Sequence, residues 1–157
     1  MIKLIVSVTD DWGIGLGGKL LYRIPEDLKR FRSITLGNTV IMGRRTLESL
    51  PGGRPLEGRR NIVVTAREGY KAPGAEIARS PEEAMALLSP DEKAFCIGGE
   101  LLFRSIMPYC EAALITRIYA RPKADCFIRE LASWRTTNFS EEHEFEGLRF
   151  RYITLVP

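Results

Sequence analysis

Short apolar runs rich in β-branched residues alternate with segments of helical pattern along this 157-residue chain. Each run is bounded by turn residues and is short enough to be a buried strand. Eight segments have this character: Ile2–Val8, Thr39–Met42, Asn61–Thr65, Ala75–Ala78, Lys93–Ile97, Ala112–Ile118, Trp134–Phe139 and Leu148–Leu155. Because strands that alternate with helices form mainly parallel sheets covered on both faces, the sequence predicts an α/β fold. It predicts one domain over residues 1–157, with a central sheet of about eight strands and an antiparallel C-terminal strand.

The predicted connections are short helices and turns. A helix begins at Pro81, where Ser80 is the N-cap and Glu83 stands three residues after it. Two further helices are predicted after strands: Leu47–Leu50 and Glu100–Met107. An acidic turn from Glu141 to Gly147 joins the last two strands.

Another predicted helix begins at Pro25 and places a carboxylate among apolar side chains. Proline suits the first turn of a helix, and Glu26 and Asp27 suit the positive end of its dipole. At 3.6 residues per turn, Asp27 shares its face or the edge of that face with apolar residues: Ile24, Leu28, Phe31 and Ile34. The basic residues are expected to face solvent: Lys29, Arg30 and Arg32. Asp27 is either a carboxylate at the rim of the helix or one in an apolar cleft that binds a proton or a cationic ligand.

A glycine-rich loop is predicted between Thr9 and Gly18. Gly13, Gly15 and Gly18 match the spacing G-x-G-x-x-G of dinucleotide-binding sites. In those sites a helix begins at the third glycine and an acidic residue ends the next strand, and this chain has neither. The loop is therefore not a standard Rossmann site, and it is predicted to move over a site as a lid.

Arginine-rich or glycine-rich segments follow three of the predicted strands. They are Gly43-Arg44-Arg45-Thr46, Thr65-Ala66-Arg67 and Gly98-Gly99. Guanidinium groups and the N–H groups of a starting helix bind anions, and paired glycines let a phosphate or a flat ring approach the backbone. Ligands of open α/β sheets bind beyond the carboxyl ends of strands, so these segments and the Asp27 helix are expected to converge. For Gly43-Arg44-Arg45-Thr46 taken alone, a solvated turn is the alternative.

The composition argues against several classes of function. The net charge of +3 is mild, and no Lys/Arg tract or row of aromatic residues predicts a nucleic-acid interface. Cys96, Cys110 and Cys126 are widely spaced and the chain has one histidine, which argues against a zinc site or a disulfide framework and favours a reducing compartment. The opening residues lack the pattern of a signal peptide, and no apolar run could span a bilayer. We therefore expect a cytoplasmic protein with no metal, no nucleic-acid partner and no membrane partner.

Several motifs follow one another in a specific order. They are Gly13-Ile14-Gly15, Ile24-Pro25-Glu26-Asp27-Leu28-Lys29-Arg30-Phe31, Val40-Ile41-Met42-Gly43-Arg44-Arg45-Thr46 with Glu48-Ser49, Gly58-Arg59, Asn61-Ile62-Val63-Val64-Thr65, Ile97-Gly98-Gly99 and the strand of Thr116. In this order they resemble the dihydrofolate reductase family over essentially the whole chain. The resemblance implies reduction of 7,8-dihydrofolate to tetrahydrofolate by hydride transfer from NADPH, in a monomeric enzyme.

For the substrate, the resemblance implies a polar anchor at each end. Asp27 binds the 2-amino and ring N–H groups of the pterin and promotes protonation of N5, with Thr116 hydrogen-bonded nearby. The hydroxyl of Tyr22 can order a water on the proton path. Arg59 binds the α-carboxylate of the substrate's glutamate, a task suited to a bidentate guanidinium. Apolar side chains form the walls around the rings: Ile5, Leu28, Phe31, Leu50 and Leu56.

For the phosphates of the cofactor, the resemblance implies an arginine-rich site. Arg44 and Thr65, with Arg67 in addition, contact the 2′-phosphate that distinguishes NADPH from NADH. Arg45 and Thr46 lie along the pyrophosphate. Two neighbours in the same turns belong to the site: Gly43 and Ala66.

At the nicotinamide end, the resemblance implies contacts from a glycine pair and a mobile loop. In the family, the pair matched by Gly98-Gly99 forms a cis peptide beside the nicotinamide, and the residue matched by Asp125 braces the loop. Three residues contact this end of the cofactor: Ser7, Ile14 and Leu20. Residues that flank the glycine pair complete the site: Ile97, Glu100, Leu101, Leu102 and Phe103.

The chain departs from the common pattern of this family at positions that the chemistry does not require. Leu21 stands where proline is usual, and Tyr22 stands where most bacterial members have tryptophan. Leu47 replaces a common aromatic residue and Glu100 a small or uncharged one. Phe103 lacks the hydroxyl of the tyrosine found in many members.

Two other functions are compatible with parts of the pattern. One is a related NADPH-dependent reductase of another pterin- or pyrimidine-like heterocycle, of the riboflavin-pathway type. The other is a nucleotide-binding module without catalysis, which would bind the cofactor and not turn over. Asp27 and Arg59 favour the first interpretation, because they suit a pterin with a carboxylate tail.

Overall fold

Strands and helices alternate along the chain in the computed structural model, which describes all of residues 1–157. The strands are β1 (Ile2–Val8), β2 (Gly13–Gly15), β3 (Thr39–Gly43), β4 (Arg60–Val64), β5 (Ala75–Ala78), β6 (Ala94–Gly98), β7 (Ala112–Ile118), β8 (Cys126–Phe127), β9 (Arg135–Phe145) and β10 (Leu148–Val156). The α-helices are α1 (Pro25–Thr35), α2 (Arg44–Ser49), α3 (Pro81–Ala86) and α4 (Glu100–Ile106). Three short 3-10 turns lie at Pro51–Gly53, Met107–Tyr109 and Arg129–Ser133.

Eight of the strands form one sheet, in the order β5-β4-β3-β6-β1-β7-β10-β9. Neighbours from β5 to β7 pair in parallel, whereas β10 pairs antiparallel with both β7 and β9. The predicted α/β fold with an antiparallel C-terminal strand is confirmed. The carboxyl ends of β4, β3, β6, β1 and β7 consequently lie along one edge of the sheet, in that order.

Both faces of the sheet are buried over its central parallel strands, which explains why these strands are continuous apolar runs. Leu4, Ile41 and Ile115 face one side and pack with residues of α3 and α4. Val40 and Met42 face the other side and pack with α2. Because side chains alternate along a strand, each β-branched run supplies the core of both layers.

Local sequence signals explain where the helices begin. α1 begins at Pro25, as predicted. α3 begins at Pro81, and the side chain of Ser80 accepts a hydrogen bond from the N–H of Glu83 at 3.1 Å, which is the predicted N-cap. α2 begins three residues before the prediction, directly at the end of β3.

The predicted acidic turn between the last two strands is wrong. β9 continues through the acidic residues to Phe145, and only Glu146 and Gly147 form the turn, with φ values of 51° and 81°. β9 is an edge strand with one side in water, so charged side chains do not interrupt it.

The glycine-rich loop is more ordered than predicted. Gly13–Gly15 forms β2, which pairs with β8 in a separate two-stranded sheet. The partner comes from a segment more than a hundred residues later, about which the local pattern contains no information.

All three cysteines are unpaired, and Cys96 and Cys110 are buried. No helix of the structure has the length and the apolar character needed to cross a membrane.

An ion-pair network closes the amino-terminal edge of the sheet. Arg60 donates to both oxygens of Glu92 at 2.8 Å and to Glu76 at 2.6 Å and 2.8 Å, while Thr39 also donates to Glu92. Burial acts to raise the pKa of Glu92, but the hydrogen bonds from Thr39, the N–H of Ser89 and Arg60 outweigh it and lower the pKa to about 2. Glu92 therefore stabilises the folded state as an anion.

We expect Glu92→Gln to lower the free energy of unfolding by about 2 kcal/mol at neutral pH, because it removes a charge-assisted hydrogen-bond acceptor. The pKa of about 2 lies below the unperturbed 4.5, so this stabilisation is complete above pH 4.5 and disappears as the pH falls toward 2. Urea unfolding of both proteins at neutral and acid pH measures the difference. The exposed Glu82→Gln serves as the control, and a difference that does not shrink at acid pH would contradict the assignment.

Candidate active site

The carboxylate of Asp27 lies between hydroxyl groups of two neighbouring strands. Ser7 on β1 donates to Oδ2 at 2.7 Å, and Thr116 on β7 donates to Oδ1 at 2.6 Å. Ser7 and Thr116 are direct partners in the parallel register of β1 and β7, so both hydroxyls meet the first turn of α1 from below. Each oxygen of a carboxylate has two lone pairs, and one on each oxygen of Asp27 is left for a ligand.

The apolar side chains predicted as walls have surface that a ligand can contact. Leu28 is 36% exposed and Phe31 is half-buried; both are on α1 within about one turn of Asp27. Leu50 and Leu56 are half-buried and pack at the border of the apolar cluster around Val40. Ile5 is buried on β1, two residues from Ser7. The arrangement favours the apolar-cleft interpretation of Asp27 over a carboxylate in open solvent.

Arg30 does not face solvent, contrary to the helical pattern. Its guanidinium lies 4.1 Å from the centroid of the Tyr152 ring on β10, and burial lowers the pKa of Arg30. Burial and the charges of Asp27 and Glu26 raise the pKa of Tyr152 to about 12, so its hydroxyl stays neutral at physiological pH. The prediction failed because the aromatic partner comes from the far end of the chain.

Arg59 lies at the other end of α1. Its Nε donates to the carbonyl of Glu57 at 2.9 Å, and its Nη1 donates to the hydroxyl of Thr35, the last residue of α1, at 3.2 Å. Burial and the nearby charge of Arg32 lower the pKa of Arg59. From Asp27 to Thr35 the helix rises by about 12 Å, which separates a carboxylate at one end from a guanidinium at the other.

Arginines follow the carboxyl ends of β3 and β4, which are adjacent in the sheet. The Nη1 of Arg44 donates to both oxygens of Glu48, at 2.9 Å and 3.1 Å, one turn further along α2. Thr65 accepts the N–H of Arg67 at 3.2 Å, which shapes the turn after β4 and leaves Ala66 exposed at its tip. Arg45 and Arg67 form no ion pair within the chain, and both are therefore available to an anion.

The glycine pair after β6 lies against the start of α2. The Gly98–Gly99 peptide is cis, and Gly98 has a φ of 122°. A Cβ at Gly43 would lie 3.8 Å from the carbonyl oxygen of Gly98, and one at Gly99 would lie 3.6 Å from the hydroxyl of Thr46. Both distances are ordinary van der Waals contacts, so a Cβ at Gly43 or Gly99 would not clash, and the φ of Gly98 is the feature that favours glycine here.

Residues around the glycine pair point in different directions. The side chains of Leu102 and Phe103 are buried in the core, whereas Leu101 is 78% exposed. Ile97 is half-buried beside the apolar cluster of Val40. Around the glycine pair, a ligand could contact the backbone and the side chains of Ile97, Glu100 and Leu101.

The glycine-rich loop is attached to the segment around β8. The N–H of Gly17 donates to Oδ2 of Asp125 at 3.1 Å, and the N–H of Asp125 donates to the carbonyl of Gly15 at 3.0 Å. Ile14 packs against the core, and Leu20 is 55% exposed. Tyr22 packs on the apolar cluster of Ile24, Ile118 and Phe150, and its hydroxyl has no hydrogen-bond partner in the chain.

Glu100 connects α4 to the segment around β8, a contact that the sequence alone did not predict. Its Oε2 accepts the N–H of Phe127 at 2.8 Å, and its Oε1 accepts from Arg104 at 2.6 Å. Arg104 also donates to Glu130 at 2.8 Å. The spacing of Glu100 and Arg104 on a helix is a recognisable i,i+4 pair, but Phe127 and Glu130 are distant in sequence. No cluster of His, Cys, Asp and Glu side chains could hold a metal ion.

Comparisons with known proteins identify one family. A family model described as Dihydrofolate reductase matches residues 1–156. The chain is 37% identical over 155 residues to the dihydrofolate reductase of Neisseria meningitidis serogroup B, covering 97% of this chain and 95% of that protein. It is 38% identical over 156 residues to the dihydrofolate reductase of Mycobacterium tuberculosis, covering 96% and 94%. A structure of dihydrofolate reductase from Enterococcus faecalis, complexed with NADP(H) and RAB-propyl, superimposes with a TM-score of 0.89 at 30% identity, covering 99% of this chain and 95% of that one.

We expect Glu100→Ala to accelerate hydrogen exchange at the amide of Phe127 about tenfold, because that N–H loses its only acceptor. Exchange should also rise at Gly15 and Gly17, which are held through the same segment. Mass-spectrometric hydrogen exchange measures both regions, with the exposed Glu82→Ala as the control. Unchanged exchange at Phe127 in Glu100→Ala would show that the contact does not hold the segment.

Proposed function

This chain belongs to the dihydrofolate reductase family, and we propose that Asp27 is the residue that binds and orients its substrate. The protein is an oxidoreductase that reduces 7,8-dihydrofolate to 5,6,7,8-tetrahydrofolate with NADPH. The observation that supports the role of Asp27 is its carboxylate, which accepts one hydroxyl on each oxygen and keeps one lone pair on each. Two parallel N–H groups on a flat heterocycle match this pair of acceptors.

In the proposed mechanism, Asp27 accepts hydrogen bonds from the 2-amino group and the ring N–H of the pterin. Protonation at N5 makes the bound ring cationic, and the negative charge of Asp27 stabilises that cation. Leu28 and Phe31 exclude water from the ring, which strengthens the interaction in the resulting low dielectric. The free hydroxyl of Tyr22 is available to order a water on the path of the proton.

Arg59 is proposed to hold the far end of the substrate. Its contacts with Glu57 and Thr35 fix the guanidinium and leave Nη2 without a partner in the chain. The rise of about 12 Å along α1 suits a ligand with a ring at one end and a carboxylate at the other. Leu50 and Leu56 would line the space between them.

The residues at the carboxyl ends of β3, β4 and β6 fit NADPH. Arg44 and Thr65, with Arg67, would meet the 2′-phosphate, and Arg45 and Thr46 would lie along the pyrophosphate. The lack of side chains at Gly98 and Gly99 suits the close approach of a flat ring. NADPH, when bound, supplies the hydride, and the chain supplies its orientation and a site from which water is excluded.

We infer that the chain acts as one domain and as a monomer in the cytoplasm. One sheet includes strands from both ends of the chain, which supports a single domain. Three unpaired cysteines suit a reducing compartment. Light scattering of the purified protein tests the monomer.

We expect Arg44→Ala to weaken binding of NADPH at least about tenfold and to leave binding of NADH nearly unchanged, because only NADPH has the 2′-phosphate. Loss of NADPH absorbance with dihydrofolate, beside an NADH reaction, measures turnover and cofactor preference together. Arg135→Ala on the opposite edge of the sheet is the matched control. Equal loss for both cofactors would show that Arg44 does not contact the 2′-phosphate.

We expect Asp27→Asn to lose about a hundredfold or more of its activity at neutral pH, because the neutral amide cannot stabilise a protonated ring. Part of the activity should return at acid pH, where the substrate arrives already protonated. Turnover measured from acid to neutral pH, relative to the wild type at each pH, tests this. A neutral-pH rate equal to that of the wild type would remove Asp27 from the mechanism.

A further inference from the structure

Ser7 is a polar residue in the apolar part of β1, and its hydroxyl donates its one hydrogen bond to Asp27. The residues around it in β1, from Leu4 to Val8, have apolar side chains. A serine in a strand can bond to nearby backbone instead, yet the hydroxyl of Ser7 points across to Oδ2 of Asp27 at 2.7 Å. Sequence reasoning assigned Ser7 to the cofactor and contained no signal for this contact.

We propose that Ser7 is a positioning residue of the reaction, which fixes the plane of the Asp27 carboxylate so that both free lone pairs face the substrate. The proposal rests on the substrate-binding role of Asp27 proposed above. A carboxylate rotates readily about its Cβ–Cγ bond. A single hydroxyl on Oδ1, from Thr116, restrains one oxygen, and a second hydroxyl on Oδ2 stops the rotation.

The geometry of the sheet makes this restraint rigid. Ser7 and Thr116 are register partners on adjacent parallel strands, which lie about 4.8 Å apart. The two donors therefore approach the carboxylate from two fixed points of the core, while α1 supplies the carboxylate from above. A flat ring that donates two parallel N–H groups needs both acceptors in its own plane, so rotation of the carboxylate would weaken its binding.

The other charged and titratable groups near Asp27 do not duplicate this contact. Arg30 on α1 stacks on the ring of Tyr152, and Tyr152 on β10 directs its hydroxyl toward Glu26 at 3.5 Å. His143 on β9 also faces Glu26, at 3.3 Å from its Oε2. Only Ser7 and Thr116 donate to Asp27, so removal of Ser7 leaves Oδ2 without a donor from the chain.

The test compares Ser7→Ala, Ser7→Thr and the distant control Ser133→Ala at one neutral pH. We expect Ser7→Ala to raise the dissociation constant for dihydrofolate about tenfold. The melting temperature and the dissociation constant for NADPH should change little, because the hydroxyl donates to Asp27 and the substitution keeps the backbone through which residue 7 would contact the cofactor. Ser7→Thr, which keeps a hydroxyl on Cβ, should restore most of the affinity. A purely structural serine would instead lower the melting temperature and affect both ligands alike.

A second comparison shows whether Ser7 acts through Asp27. In the Asp27→Ala background, Ser7→Ala should cause no further loss of dihydrofolate binding, because the group that it positions is absent. Additive losses would overturn the proposal, as would weaker NADPH binding with unchanged dihydrofolate binding. If the wild type itself failed to turn over dihydrofolate, the proposed function would fail instead, and the two failures are thus distinguishable.

Discussion

Parallel strands all end on the same side of a sheet, and the site of this protein depends on that constraint. The order β4-β3-β6-β1-β7 places the Thr65 turn, the start of α2, the glycine pair, Ser7 and Thr116 side by side along one edge. Each of these residues lies near the carboxyl end of its own strand or directly after it, so none needs a long loop to reach the others. The chain obtains a binding surface that extends across five strands from connections that are each only a few residues long.

Within that surface, the carboxylate of Asp27 lies at the border of an apolar layer, where an anion loses part of its contact with water. Asp27 is placed by the first turn of α1 beside the half-buried Phe31, and an anion there needs donors that replace water. The sheet provides them because Ser7 and Thr116 interrupt the apolar pattern of β1 and β7 at partner positions. Arg30, whose guanidinium packs over the ring of Tyr152, places a cation about one helical turn from Asp27 without a hydrogen bond to its carboxylate.

The sequence predicts contacts within one element well and contacts between distant elements poorly. The bounds of β1, β5 and β7 agree with the prediction because each apolar run is enclosed by turn residues. The same holds for the Pro25 and Ser80 signals of α1 and α3. The pairing of β2 with β8, the burial of Arg30 and the bond from Ser7 to Asp27 depend on partners that no local pattern identifies. The length of β9 was missed since its acidic residues resemble a turn, although an edge strand accepts them.

The distance along α1 between Asp27 and Thr35 selects ligands by their length. A molecule bound by the carboxylate at one end holds its other end near Arg59, so the second contact forms at a high effective concentration and at little further cost in rotational freedom. A heterocycle without a tail obtains no such benefit and must compensate with tighter contacts around Asp27 alone. The length of one helix thereby favours binding of ligands that are long enough to contact both Asp27 and Arg59, independently of how well their rings fit at Asp27.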